Sequence, residues 1–266
     1  MSNSFAWLRK IEIIFIPTCL FLTLSFASAY SQKNTEKFKD NRGNGFFHTL
    51  NFSVNLNKGN EEYFKYQGDY RIDYNKNNFI TYIVGNLEYK EGNNRLITNK
   101  GFAHFRFIYN KDKLIEPELF AQIDYNDFIF LKERYLAGAG LRFIITDTYT
   151  NDSLHRLSIE SGVGAMYEYE KVDDIKKPVT KYIRSTNFLN IRYSFNKSFN
   201  FYAVAYYQPY INDFIDYRFL NENRVSFSIT KHFAFFVNTI LRYDNEPIRD
   251  LKKYDLELSN GITITF

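Results

Sequence analysis

Histidines are the residues of this chain best suited to acid–base chemistry. The sequence has four, which are His48, His104, His155 and His232. Nucleophilic catalysis needs a Ser or Thr within hydrogen-bond reach of a His that a carboxylate orients. Ser153 lies near His155, but both fall in a predicted turn, where the candidate acidic partners are Asp147 and Asp152. We therefore predict no catalytic residues and no enzyme, and no cofactor motif is present.

A run of acidic residues later in the chain could hold a divalent cation, which prefers several oxygen ligands. The run consists of Glu168, Glu170, Asp173 and Asp174. Three lysines accompany it, at positions 171, 176 and 177. This balance of charge indicates a solvated external loop, and we predict no metal site.

Four charged residues lie on the polar faces of consecutive predicted strands. They are Arg106, Glu118, Arg142 and Glu160. Antiparallel pairing brings each near the next, to within one two-residue step of register. Because a lone buried charge is costly, the four are expected to pair as one layer, with the planar fork of Arg142 donating to two carboxylates. The layer either fills and stiffens the interior or sets which ions pass.

Gly138 and Gly140 fall on the same polar face as Arg142. Paired glycines could open a passage or let a ligand approach the backbone. Glycine inside a strand more often marks close packing, here room for a large neighbour such as Phe120 on the preceding strand. We favour the packing role.

The final stretch, Lys253–Phe266, shows most clearly which element carries these residues. Apolar and polar side chains alternate along it with a period of two, and the chain stops on an aromatic residue. Such a strand is typical of the last strand of an outer-membrane barrel. We predict that Phe266 is an assembly signal and that this strand engages the barrel-assembly machinery.

Similar alternation recurs from Phe46 onward in about twelve segments, many of ten residues or more. A soluble β-sandwich also alternates, but its strands usually have about five or six residues. The predicted fold is all-β: a transmembrane antiparallel up-and-down β-barrel of about 12 strands, following a cleaved signal peptide. Four connections are predicted to be long and external: Glu91–Ile97, Val172–Lys181, Pro209–Phe214 and Asn245–Leu251. A further connection is predicted at Thr146–Ser153.

The chain divides into three predicted parts. Residues 1–29 have a basic start, an apolar run and a small-residue cleavage site, and they are predicted to be a signal peptide. Residues 30–45 are polar and are predicted to be a periplasmic lead-in, and residues 46–266 form the barrel. The only cysteine, Cys19, lies in the signal peptide. Without residues 1–29 the net charge is about +3, with basic residues scattered, which argues against nucleic-acid binding.

The stretch from Glu116 to Phe143, EPELFAQIDYNDFIFLKERYLAGAGLRF, resembles the signature of the YdiY-like family of salt-induced outer-membrane proteins, a domain of unknown function. Further stretches resemble the same family, and together they cover nearly the whole mature chain. They are Leu56–Asn60, Gly162–Glu170, Tyr206–Pro209 and Asp216–Arg218. The resemblance implies an outer-membrane barrel and assigns no substrate, cofactor or catalytic residue.

The predicted location is the outer membrane of a Gram-negative cell, where outer-membrane lipid and lipopolysaccharide are the surroundings. A monomer is expected. The predicted function is a narrow passive pore or small-solute channel. The alternative is a mostly filled barrel that supports envelope integrity or binds partners at its external loops. A lining with both signs of charge and few small residues favours a constricted interior over a wide porin.

Overall fold

Two-residue alternation of apolar and polar side chains produces strands throughout the structure. The computed structural model describes residues 34, 36, 43–59, 62–93, 95–109, 111, 113–149, 155–176, 178–195, 198–230, 233–248 and 251–264. The strands are β1 (Gly45–Asn57), β2 (Tyr63–Lys76), β3 (Phe79–Gly92), β4 (Arg95–Tyr109), β5 (Ile115–Asn126), β6 (Leu131–Tyr149), β7 (Arg156–Val172), β8 (Val179–Ser194), β9 (Phe199–Tyr210), β10 (Asp213–Ser228), β11 (Phe233–Asp244) and β12 (Tyr254–Ile264). A 3₁₀ turn, Asp127–Ile129, joins β5 to β6.

Within these ranges, no helical segment has the length and apolar character needed to span a membrane.

All twelve strands belong to one antiparallel sheet in which each strand pairs with the next along the chain. Strand lengths run from 11 residues in β12 to 19 in β6, so every strand reaches the 9–11 residues or so that a tilted membrane-crossing strand needs. The prediction of an all-β, up-and-down antiparallel fold of about 12 strands is confirmed. The ladders that the described residues form run from β1 to β12, and none of them joins β12 to β1.

Contacts between side chains of strands that are not neighbours show that the sheet curves into a barrel. Arg218 on β10 donates from Nη1 to Oε2 of Glu168 on β7 at 2.5 Å. On the other side of the interior, Asn51 of β1 and Arg242 of β11 line one cavity. The curved sheet therefore encloses a lumen, and the polar faces of the strands line it.

The two faces of the sheet are inverted relative to a soluble protein. Large apolar side chains such as Leu119, Val163 and Leu189 are exposed on the outer face, whereas charged side chains such as Arg142 and Arg184 are fully buried inside. This distribution is the one that a barrel in lipid requires, since its outer face meets hydrocarbon and its lumen holds the polar groups.

Two of the four connections predicted to be long are tight hairpins. β3 ends at Gly92 and β4 begins at Arg95, and β9 and β10 are separated only by positions 211 and 212. Asn93 has the positive φ of 50° that a short hairpin turn favours. Register shifts after Lys90 and between Asp213 and Tyr217 extend these strands past the point where the alternation breaks.

The connection predicted at Thr146–Ser153 also begins too early. β6 continues to Tyr149, because a register shift between Ile144 and Thr146 lets the strand go on pairing with β7. A β-bulge of this kind inserts one residue and moves the following side chains to the opposite faces, which hides the strand from a simple two-residue pattern.

The predicted lead-in, residues 30–45, differs from the structure at three positions. β1 begins at Gly45, one residue earlier than predicted. Asn34 and Glu36 lie buried among residues of the lumen instead of outside the barrel. The predicted signal peptide at 1–29 and the terminal Phe266 lie outside the described residues.

Candidate functional site

The centre of the lumen holds a network of charges around Arg142 on β6. Its Nη2 lies 2.9 Å from Oε2 of Glu118 on β5, and its Nη1 lies 2.9 Å from Oε2 of Glu160 on β7. The register places Arg142 opposite Glu116 and Gly162, so both contacts run diagonally by one two-residue step. Arg142 is completely buried, and the strands on both sides supply its partners.

Arg106 on β4 completes the set of four residues singled out from the sequence. Its Nη1 lies 3.3 Å from Oε2 of Glu118, and its guanidinium stands 5.5 Å from the centre of the Phe120 ring. Arg106, Glu118, Arg142 and Glu160 thus form one continuous set of contacts across β4 to β7. We call these four residues, together with Glu36 and Glu116, the central cluster.

Sequence reasoning missed two members of the central cluster, Glu116 and, far from it in the chain, Glu36. Oε1 of Glu36 accepts hydrogen bonds from Nη1 of Arg106 at 2.5 Å and from Nη2 of Arg142 at 2.8 Å. Its Oε2 accepts a further bond from Nη1 of Arg142. The Tyr206 hydroxyl donates to Oε1 at 3.4 Å. No alternation surrounds Glu36 in the sequence, so no local signal marks it.

A second network lies closer to the end of the barrel where β7 stops. Glu168 contacts Arg184 at 3.0 Å and Arg218 at 2.5 Å, and Arg218 also contacts Glu170 at 3.1 Å. These two glutamates belong to the acidic run that the sequence places in a solvated loop. That interpretation is wrong for Glu168 and Glu170, which the inward face of β7 carries into the lumen, where both are buried.

The two glycines of β6 stand where the packing is closest. Gly138 faces Phe120 across the β5–β6 ladder, and a Cβ at Gly138 would collide with the Phe120 ring. A Cβ at Gly140 would lie only 3.0 Å from the carbonyl oxygen of Val163. Glycine at both positions therefore leaves room for a neighbouring ring or strand. Neither glycine lines the cavity of about 380 Å³ between β1–β4, β10 and β11.

A third close approach supports Arg142 itself. Gly162 on β7 lies opposite Arg142, and the Phe188 ring from β8 occupies the space that a Gly162 side chain would fill. The guanidinium of Arg142 stacks over that ring at 4.7 Å. An aromatic face attracts a guanidinium, which fixes the orientation of the fork.

The histidines have contacts of an ordinary structural kind. Nδ1 of His48 lies 3.1 Å from the Tyr70 hydroxyl, and Nδ1 of His104 lies 3.1 Å from Oε1 of Gln122. His155 packs edge-on against Phe195 at 4.9 Å. His232 lies outside the described residues. In the part of the chain that the structure describes, no three His, Cys, Asp or Glu residues are grouped as metal ligands.

A cavity of the lumen lies beside these networks and not within them. Its volume is about 380 Å³. The lining side chains come from β1, β2, β3, β4, β10 and β11 and from Asn34, and they include Thr49, Asn51, Asp69, Arg71, Asn86, Phe102, Glu222, Ile240 and Arg242. We call this space the side cavity. It presents amide, hydroxyl and oppositely charged groups together with a few apolar surfaces.

The interior is therefore divided into a filled side and an open side. Between the central cluster and the second network lies a space of about 40 Å³, lined by His104, Gln122 and Arg218 among others. Arg142 and Glu116 are completely buried. A solute that enters the barrel therefore meets the walls of the side cavity first.

Comparisons with known proteins give one match at the level of sequence family and two at the level of shape. No curated protein matches the chain. The NanC porin, solved in a rhombohedral crystal form, is 11% identical, with a TM-score of 0.45 over 83% of this chain and 99% of its own. The KdgM porin is 12% identical, with a TM-score of 0.38 over 84% of this chain and 99% of its own. The model of the family described as protein of unknown function, DUF481, matches residues 50–266. YdiY-like proteins belong to that family, so the predicted resemblance is confirmed, and this chain is a member of the DUF481 family.

Proposed function

We propose that this protein is an outer-membrane barrel that serves as a narrow passive channel for small solutes, and that the side cavity is its conducting path. The observation that carries the proposal is the cavity of about 380 Å³, bounded by polar side chains inside a barrel whose other side is filled. A purely structural lumen has no need of such a space, because packed side chains stabilise an interior better than a void does.

The outer surface supports a membrane location. Large apolar side chains are exposed along the outward faces of the strands, including those of Leu50, Leu87, Leu119, Val163 and Leu258. Contiguous apolar surface of this extent marks a contact with lipid or another protein. We propose that outer-membrane lipid and lipopolysaccharide cover this surface, that the barrel is exported and inserted by the assembly machinery through its last strand, and that it acts as a monomer.

The charges of the side cavity support a weakly selective path. Asp69 and Glu222 are acidic, whereas Arg71 and Arg242 are basic, so the wall carries both signs. Arg71 is bound to the neighbouring Asp73, with Nε 2.7 Å from Oδ2. Arg242 has a longer contact, 3.4 Å to Glu257, which is half exposed. Among the charges of this wall, Arg242 is thus a good choice for changing ion preference with little effect on the fold.

Single-channel recording in planar bilayers tests the proposal. We expect small, stable current steps for the native chain. We also expect a reversal potential in a salt gradient that moves toward cation preference when Arg242 is replaced by Gln, since one positive charge leaves the wall. Arg156→Gln is the matched control, because this arginine pairs with Asp147 at an exposed strand end. Equal shifts in both variants would place the selective region elsewhere.

A filled barrel with a structural role is the second candidate. The observation in its favour is an apolar cluster of Ile129, Leu131, Val172 and Ile248. Ile248 belongs to the β11–β12 connection, while the other three flank the ends of β6 and β7, so this cluster bridges opposite walls at one mouth. A correctly folded barrel that shows no current above the bare bilayer would favour this second role and overturn the channel.

A further inference from the structure

Glu36 is bound like a ligand. Both Nη atoms of Arg142 donate hydrogen bonds to its carboxylate, and Arg106 donates to one of the same oxygens at 2.5 Å. Tyr206 adds a hydroxyl at 3.4 Å. Paired donation from a planar guanidinium to both oxygens is the geometry by which arginine recognises a carboxylate. Both arginine side chains are at least nine-tenths buried, so the donors are held in place by the barrel.

We infer that Arg106, Arg142 and Tyr206 form a binding site for small carboxylate solutes, which the chain's own Glu36 occupies and from which a solute carboxylate displaces it. The inference deepens the proposed channel function by naming a class of solute. Only the route to the site depends on that function; the binding itself does not.

Competition with strand carboxylates makes Glu36 an exchangeable occupant. Glu116, Glu118 and Glu160 each contact Arg142, at 3.6, 2.9 and 2.9 Å, and these three glutamates are fixed on strands. Arg192 lies 3.4 Å from Glu160 and donates to the carbonyl oxygen of Glu36. Glu36 therefore shares its arginine donors with carboxylates that the barrel holds in place. The cost of burying its charge also opposes its hydrogen bonds, so its net affinity is modest.

The binding site adjoins the side cavity through Asn34. The Glu36 backbone N–H donates to Oδ1 of Asn34 at 3.1 Å, and Nδ2 of Asn34 donates to Oε2 of Glu222 at 2.9 Å. Asn34 and Glu222 both line the side cavity. Arg192 donates to the Glu36 carbonyl oxygen at 3.2 Å and is about one third exposed. Among the residues that the structure describes, Asn34 and Glu36 lie between the side cavity and the arginine pair.

A monocarboxylate fits this site better than a phosphate does. Both match the guanidinium fork. A monocarboxylate adds the same single charge that Glu36 adds, whereas a phosphate brings up to two, and each further buried charge costs more desolvation. The inferred ligand is therefore a small monocarboxylate, and acetate is the simplest probe.

Thermal unfolding of the folded barrel in detergent measures binding without any need for transport. A ligand that binds only the folded state raises the midpoint, and the rise grows as the ligand concentration increases relative to Kd. We expect acetate, compared with chloride at equal ionic strength, to raise the midpoint of the Glu36→Ala barrel. The native barrel should need about tenfold more acetate for the same rise, because its tethered Glu36 competes at a high effective concentration. Acetamide, which has the same size and no charge, should have no effect.

Further variants keep the test decisive. Glu36→Gln retains the shape of the side chain and serves if Glu36→Ala does not fold. Arg106→Gln in the Glu36→Ala chain should abolish the response to acetate. Glu133→Ala removes an exposed carboxylate that pairs with Lys171, and it should behave like the native chain. A folded Glu36→Ala barrel that acetate stabilises no more than chloride does, or that phosphate stabilises equally, would overturn the carboxylate site.

The two proposals fail in different ways. A barrel that responds to acetate as expected but passes no current keeps the carboxylate site and loses the channel. A barrel that conducts but shows no acetate response in the Glu36→Ala chain keeps the channel and loses the site.

Discussion

Replacing Arg142 with alanine removes the residue that holds most of the central cluster together. Four carboxylates contact it: those of Glu36, Glu116, Glu118 and Glu160. Breaking a buried ion pair by removing one partner costs about 3–5 kcal/mol, because the remaining charge stays buried. Arg106 still reaches Glu36 and Glu118, and Arg192 still reaches Glu160. We therefore expect a loss near the lower limit of that range, about 3 kcal/mol.

Urea unfolding of the barrel in lipid vesicles measures this loss, provided that the slope against denaturant is the same in both chains. Arg156→Ala is the matched control, since it breaks an arginine–carboxylate pair of 3.0 Å whose side chains are about 40% exposed. Such exposed pairs contribute about 0–1 kcal/mol. A loss for Arg142→Ala no larger than that of the control would refute the argument that the central cluster is a buried, mutually dependent network.

Two further substitutions test the close packing of Gly162 against Phe188 and the contact of the outer face with lipid. Gly162→Ala should destabilise the barrel because its Cβ meets the Phe188 ring. Phe188→Leu in the same chain should recover part of the loss. The midpoint of thermal unfolding of both chains measures the two effects. Leu141→Arg on the outer face should cost about 2–4 kcal/mol if Leu141 lies near the bilayer midplane, measured by the same urea unfolding in vesicles. An unchanged stability would place Leu141 away from lipid hydrocarbon.

Deleting Phe266 addresses assembly. We expect less heat-modifiable barrel in the outer membrane, measured by gel mobility with and without boiling, because the terminal aromatic residue completes the pattern of the last strand. A normal amount would show that assembly does not need this residue.

Most of the fold could be predicted because apolar side chains outside and charged side chains inside impose a two-residue period on the strands. Arg106, Glu118, Arg142 and Glu160 could be placed near one another for the same reason, since antiparallel register follows from the hairpins. The match in shape between Phe120 and Gly138 also follows from register alone.

Other features depend on information that a single strand does not carry. Bulges after Ile144 and Lys90 shift the alternation and conceal the true strand ends. Glu36 belongs to the central cluster although it lies 70 residues before Arg106 in the chain. Apolar and polar residues do not alternate around it in the sequence. The division of the lumen into a filled and an open side depends on which distant strands face each other, so only the assembled barrel shows it.

Thiol modification during single-channel recording tests the conducting path most directly. Asn86 lines the side cavity, and its neighbour Leu87 is exposed on the outer face. The only native cysteine is Cys19, so in a chain prepared without residues 1–29 an introduced cysteine is the only target for the reagent. A charged thiol reagent that cannot cross lipid should reduce the current of Asn86→Cys and leave that of Leu87→Cys unchanged. A current that persists in modified Asn86→Cys would contradict conduction through the side cavity.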